Sequence, residues 1–174
     1  YNAISNNKRL SDITKETMAK SSLNDRDKRF IIDLVQGAIR MKGRLSWELK
    51  KIYKNNWDEL NLKVKIVLWL GAYQMKYMDK IPDYAIVSTS VSLTKEIYFK
   101  TSGIVNALLR KYSLICDVDK RISIKDRDWA DFLSHPRRLV EKTTKTYSKG
   151  DLESLCNSKN KKPKKKFRKG IYSY

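Results

Sequence analysis

Residues 64–79 read VKIVLWLGAYQMKYMD, with Lys65, Gln74, Lys76 and the terminal Asp79 as the only polar interruptions. Almost every turn of the corresponding helical wheel is apolar, and a helix that is hydrophobic all round belongs inside a core. Gly71 sits in the middle of the run. A glycine in a helix interior costs about 1 kcal/mol relative to alanine, so this one predicts close approach of a neighbouring helix. A membrane span is the competing reading, but the unbroken apolar run Ile66–Tyr73 is far short of the roughly 20 residues a bilayer requires. The stretch therefore predicts the central, buried helix of an all-α bundle, with Leu70 in its core.

Composition agrees. The 174 residues fit one domain with an extension. A hydrophobic content of 41% supports a core, and only six glycines and three prolines argue against a turn-rich β architecture. The net charge of +19 exceeds what solubility needs and predicts attraction to a polyanion, nucleic acid or an anionic membrane surface. Cys116 and Cys156 are far apart and lack a partner motif, so neither a disulfide framework nor a zinc site is expected. No signal peptide is visible, and a reducing cytoplasm is the expected compartment. The chain opens on Tyr1 rather than methionine, which predicts that part of a longer protein precedes it.

Outward from the central stretch, residues 1–22 are polar, with Leu10, Ile13, Thr17 and Met18 at helical spacing. They predict one short surface helix. Asn24 offers an N-cap, and Asp25 and Asp27 place negative charge in the first turn, where the helix dipole favours it. From Phe30 to Ile52 apolar residues recur at three- and four-residue steps, predicting a long amphipathic helix bent near Gly43. Its other face is basic, with Arg40, Lys42, Arg44, Lys50 and Lys51 among the cations. Beyond the central helix, Pro82 and Asp83 predict a new start and a helix to about Tyr98; Thr101 and Ser102 predict the cap of the next. Residues 117–127, DVDKRISIKDR, look like a connector. Ser134-His135-Pro136 predicts a further helix start, with Ser134 as N-cap, and a last helical stretch runs to about Leu155.

From Asn157 the composition changes. NSKNKKPKKKFRKGIYSY holds seven lysines, one arginine and no acid, so it carries +8 of the +19. Such a run resists packing and behaves as an arm that meets an anion. Catalytic patterns are missing. The glycines at 37, 43, 71, 103, 150 and 170 are scattered, the only histidine, His135, has a structural setting at a helix start, and metal-ligand spacing is absent. The carboxylates sit mostly among lysines and arginines, which suits surface ion pairs. Tyr172 and Tyr174, near the tail lysines, could stack on bases.

These residues resemble a known family. LNDRDKRFIIDLVQGAIRMKGRLSWEL, LWLGAYQMKYMDKIPDYAIV, GIVNALLRKY and LSHPRRLVEK, in that order, are similar to the NusB-like domain that precedes RsmB/Sun-type ribosomal RNA cytosine-C5 methyltransferases. The resemblance covers most of residues 23–160. It implies an all-α bundle, an RNA partner (ribosomal RNA), and S-adenosylmethionine as the cofactor of the parent enzyme, with no cofactor or metal held by this chain. Departures are visible. Ser88-Thr89 stands where the family usually has Asn-Glu, and lysines follow Asn160 in place of a Pro-rich stretch. The glycine-rich cofactor motif and the Pro-Cys and Thr-Cys motifs are absent, so no catalytic residue carries over; the contexts of Cys116 (LICDV) and Cys156 (SLCNS) do not match.

The resulting expectation is a substrate-recognition domain of a 16S-type rRNA methyltransferase without its catalytic domain. The alternative is a NusB-type transcription antitermination factor that binds RNA with a ribosomal protein partner; a third is a helical protein-interaction module. Expected boundaries are a bundle over 1–116, a helical connector over 117–156 and a Lys-rich tail over 157–174. The expected RNA contacts are Arg40 and Arg44, four apart on one helical face if the helix continues through Gly43, with Lys42 beside them, then Lys111, and the tail cations Lys161, Lys162, Lys164, Lys165, Lys166, Arg168 and Lys169.

Overall fold

A computed structural model describes residues 9–78, 80–116 and 129–161. Every regular element among them is helical. In chain order these are α1 (Leu10–Ala19), α2 (Asp25–Arg40), α3 (Lys42–Ile52), α4 (Leu62–Tyr77), α5 (Asp83–Tyr98), α6 (Ser102–Ser113), α7 (Trp129–Phe132), α8 (Arg137–Thr143) and α9 (Lys149–Asn160), with 3-10 turns at Trp57–Glu59 and Phe99–Thr101. The all-α expectation holds. The expected connector over residues 117–127 lies outside the described residues.

Helix α4 is the hub, packing on α2, α3, α5 and α6. Its buried side chains are Val64, Val67, Leu68, Trp69 and Ala72, with Gly71 among them. Leu70 and Gln74 are only half-buried and Tyr77 is exposed, so the helix is central on one side rather than enclosed. The reason is visible at Gly71. A Cβ there would stand 2.8 Å from Leu109 Cδ1 and 3.2 Å from Ser90 Oγ, so α5 and α6 press on that face.

Local chemistry sets several starts. Asn24 Oδ1 accepts the Asp27 amide at 2.8 Å, opening α2; Asn61 Oδ1 accepts the Lys63 amide at 2.9 Å, opening α4. Such caps satisfy amides that the first helical turn leaves unbonded. Helix α5 begins at Asp83 itself, with the Pro82 carbonyl accepting the Ala85 and Ile86 amides. The Thr101 and Ser102 hydroxyls turn back to donate to the Tyr98 and Phe99 carbonyls instead of capping α6.

The long helix expected from Phe30 to Ile52 is two helices. They part at Met41 (φ −94°, ψ 8°), two residues before Gly43. Ser134 holds the junction: its hydroxyl donates to the Arg40 carbonyl at 2.7 Å and accepts the Gly43 amide at 3.2 Å. A Cβ at Gly43 would meet Ser134 Cα at 3.2 Å and the Asp131 carbonyl at 3.3 Å. Ser134 is therefore not the N-cap of α8. Its backbone is left-handed (φ 55°), Pro136 occupies the cap position, and the hydroxyl is committed to the α2–α3 junction.

Two apolar clusters share α3. Leu45, Leu49 and Ile52 face the bundle core with Val64, Leu68, Leu109 and Tyr112. Trp47 points the other way, into a second cluster with Ala130, Phe132, Leu133, Val140, Leu152 and Cys156. This second cluster keeps α9 helical beyond Leu155 to Asn160. Cys156 is buried in it, and the Asn160 amide donates to the Leu133 carbonyl at 2.9 Å. His135 serves the same turn: its Nδ1 lies 2.6 Å from the Leu133 carbonyl, which can only accept, so the ring donates there.

Candidate nucleic-acid interface

Helices α2, α4 and α9 leave an open groove of about 820 Å³ between them. One wall is the stripe Asp33, Gln36 and Arg40 of α2, and the facing wall is Glu153, Asn157 and Asn160 of α9. Both stripes recur at three- and four-residue steps, the spacing that sets side chains on one helical face. Tyr73, Lys76 and Tyr77 of α4 also line it, as do Arg44 of α3 and Phe132 of α7. Gly37 lets α2 sit this close to α4, because a Cβ there would overlap the Tyr73 ring. Tyr73 in turn packs against Tyr77, with ring centroids 4.9 Å apart.

Beside the groove lies a charge network missing from the sequence reading, which placed the carboxylates in surface pairs. Glu48 Oε1 accepts Arg44 Nε at 3.0 Å and Lys76 Nζ at 2.5 Å. Glu48 Oε2 accepts the Tyr112 hydroxyl. The three charged side chains are only 9–12% exposed. Burial, and after it the Glu48 carboxylate, push the Tyr112 phenol well above its usual range. A buried carboxylate is tolerated when paired and fully hydrogen-bonded, and here three donors converge on it. Spacing alone pointed to only one of them, since Arg44 and Glu48 are four apart while Lys76 and Tyr112 arrive through tertiary packing.

The structure separates the cations expected on one face. Arg44 is 7% exposed. Besides Glu48, its guanidinium lies 4.0 Å over the Phe132 ring and reaches the Phe132 carbonyl at 3.5 Å. The break at Met41 sends Arg40 to the groove wall, where Nη1 donates to the Asn160 carbonyl at 3.4 Å. Lys42 is exposed outside the groove, and Lys111 is exposed on α6. Arg40 and Arg44 thus both line the groove, Arg40 at its wall and Arg44 through a guanidinium tied to Glu48 and Phe132, while Lys42 lies outside it. Lys161, the first residue after α9, lines the groove together with Arg40. Lys162, Lys164, Lys165, Lys166, Arg168 and Lys169 lie outside the described residues.

A second basic feature went unread in the sequence. Trp47, Phe132 and Trp129 pack edge to face, with centroids 5.8 and 5.9 Å apart. Lys51 Nζ stands 4.1 Å from the Trp47 ring and Lys149 Nζ 5.8 Å from Trp129. The available signal was the phase of Trp47, out of step with Leu45 and Leu49.

No described helix is long and apolar enough to cross a membrane. A protein of Synechocystis sp. named probable ribosomal RNA small subunit methyltransferase B is 30% identical over 148 residues, 84% of this chain and 33% of its own length. The Bacillus subtilis protein of that name is 29% identical over 147 residues, 83% of this chain and 32% of its own. An Escherichia coli ribosomal RNA small subunit methyltransferase B is 24% identical over 145 residues. The chain thus spans about one third of the length of the curated relatives it matches. The profile of the NusB family matches residues 2–113, well over half of the sequence, and the chain belongs to the NusB family.

Proposed function

We propose that this chain is the RNA-binding, substrate-recognition domain of an S-adenosylmethionine-dependent methyltransferase acting on cytosine C5 of small-subunit ribosomal RNA. One observation carries the choice over a stand-alone antitermination factor. The alignment with the Synechocystis methyltransferase runs over 148 residues, more than the 2–113 span of the NusB match can hold. The likeness therefore continues into the segment that follows the bundle.

The glycines among the described residues do not fit a cofactor cradle. Gly37, Gly43 and Gly71 are taken up by packing against Tyr73, Ser134 and Leu109, and Gly103 and Gly150 lie inside α6 and α9. A nucleotide cradle needs glycines in a turn between elements. Methyl transfer is assigned to the remaining length of the relatives, and this chain supplies affinity and orientation. Lys42, Lys111 and the cations of residues 162–169 neutralise phosphates, and the groove offers a fixed surface beside them. Binding through phosphate neutralisation weakens linearly in log affinity against log salt.

Fluorescence titration of a structured small-subunit rRNA fragment at several salt concentrations is the test. Binding with a negative salt slope is expected, together with no transfer of label from S-adenosylmethionine. Absence of binding at low salt would overturn the RNA assignment.

A further inference from the structure

We propose that the groove between α2, α4 and α9 is a receptor for one unpaired RNA base, with guanine preferred. The proposal rests on the RNA-binding reading above and gives it a site. The groove, at about 820 Å³, falls within the range of roughly 300–1,000 Å³ typical of small-molecule sites. Gln36 and Glu153 face it from opposite walls. Both are half-buried, and neither side chain has a hydrogen bond or ion pair with another described residue. The only hydrogen bond of the Arg40 guanidinium among the described residues is the long one to Asn160. Polar groups that line a cavity are satisfied by what fills it, water in the free protein and a ligand in the bound one.

The ligand chemistry follows from the lining. Tyr77 is 40% exposed and backed by Tyr73, a supported aromatic face of the kind on which unpaired bases stack. A bare phosphate suits the groove poorly: of the four cations that line it, Arg44 and Lys76 are already bound to Glu48, and Asp33 and Glu153 line it alongside Arg40 and Lys161. A base edge carrying N–H donors suits it well. Guanine presents N1–H and N2–H side by side and can make two parallel bonds to the Glu153 carboxylate. Uracil presents one N–H between two carbonyl oxygens that the carboxylate repels. The Gln36 amide can donate to the guanine acceptors, leaving Arg40 and Lys161 for the flanking phosphates.

The test compares a short oligouridine with the same oligomer carrying one central guanosine, by fluorescence anisotropy on the full chain. The guanosine oligomer is expected to bind about fivefold more tightly or better, the lower end for a bidentate contact. Glu153→Gln should abolish that preference without weakening the oligouridine, Gln36→Ala should reduce it, and an unchanged melting curve confirms the fold of each variant. Equal binding of the two oligomers to the native chain overturns the proposal. So does a preference that survives both substitutions, which would place the guanine contact elsewhere on the chain. A chain that binds the long rRNA fragment but ignores guanosine loses this site and keeps the domain reading; one that binds neither loses both.

Discussion

The Tyr112 hydroxyl donates to Glu48 Oε2 at 2.5 Å, joining α6 to α3 across 64 positions of sequence. The other carboxylate oxygen holds Arg44 and Lys76, so one side chain ties three helices together. Glu48→Ala leaves two nearly buried cations without their shared anion. Breaking a buried pair from one side typically costs about 3–5 kcal/mol. Chemical denaturation should show a loss of that order, and a loss below that of a surface substitution would mean the network is incidental.

Tyr112 also predicts a pH dependence. The folded chain holds the phenolic proton above the usual range, through burial first and the Glu48 charge second, whereas an unfolded tyrosine ionises near about pH 10. Above that pH the unfolded state binds fewer protons than the native one, so stability falls as pH rises. The contribution is complete below about pH 10 and drains away above it. Tyr112→Phe should cost about 1.5–3 kcal/mol at neutral pH through the lost bond to a charged acceptor. It should also flatten the alkaline decline, measured as denaturation midpoints at stepped pH. An equally steep decline in the variant would remove Tyr112 as its source.

Gly37→Ala opposes two effects. Alanine gains about 1 kcal/mol of helix propensity. Its Cβ would overlap the Tyr73 ring, and overpacking of that kind costs about 1–3 kcal/mol or more. Because a rigid ring must leave its place, destabilisation should win, and Tyr77 loses its backing. A rise in melting temperature would show that Tyr73 rotates away freely.

Much of the bundle was legible because it is written in short-range chemistry. Asn24 with its first-turn acids and the apolar periodicity of α2 act within one or two turns, and the glycine inside α4 announces a close neighbour without naming it. The missed features depend on partners far away in sequence. Nothing near Gly43 announces that Ser134, 91 positions on, will take its amide, and Ser134 reads locally as a cap. Glu48 reads as a surface acid four residues after an arginine until Lys76 and Tyr112 arrive. The groove is of the same kind. Its walls are stripes on α2 and α9, and in the sequence Glu153, Asn157 and Asn160 merge with the start of a lysine-rich tail.

The cations should divide by what holds them. Residues 162–169 contribute Lys162, Lys164, Lys165, Lys166, Arg168 and Lys169. Each that meets a phosphate adds about 0.7 to the salt slope on single strands, so ending the chain after Lys161 should flatten the slope and weaken all RNAs alike. That cut spares Asn160, whose side chain anchors α9 to Leu133. Arg40→Ala, at the groove wall, should reduce preference for a structured rRNA fragment over a random one, with a smaller change in slope, since contacts at a fixed site carry register as well as charge. Arg44→Ala should behave differently. Its guanidinium is committed to Glu48 and Phe132, so the loss should appear in stability, and RNA preference should survive wherever the variant remains folded. Affinities for both RNAs across a salt series, read beside melting curves, separate the three outcomes. If Arg44→Ala erases the preference while the melting curve stays unchanged, Arg44 leaves its buried partners to contact RNA, and the division drawn here between structural and displayed arginines is wrong.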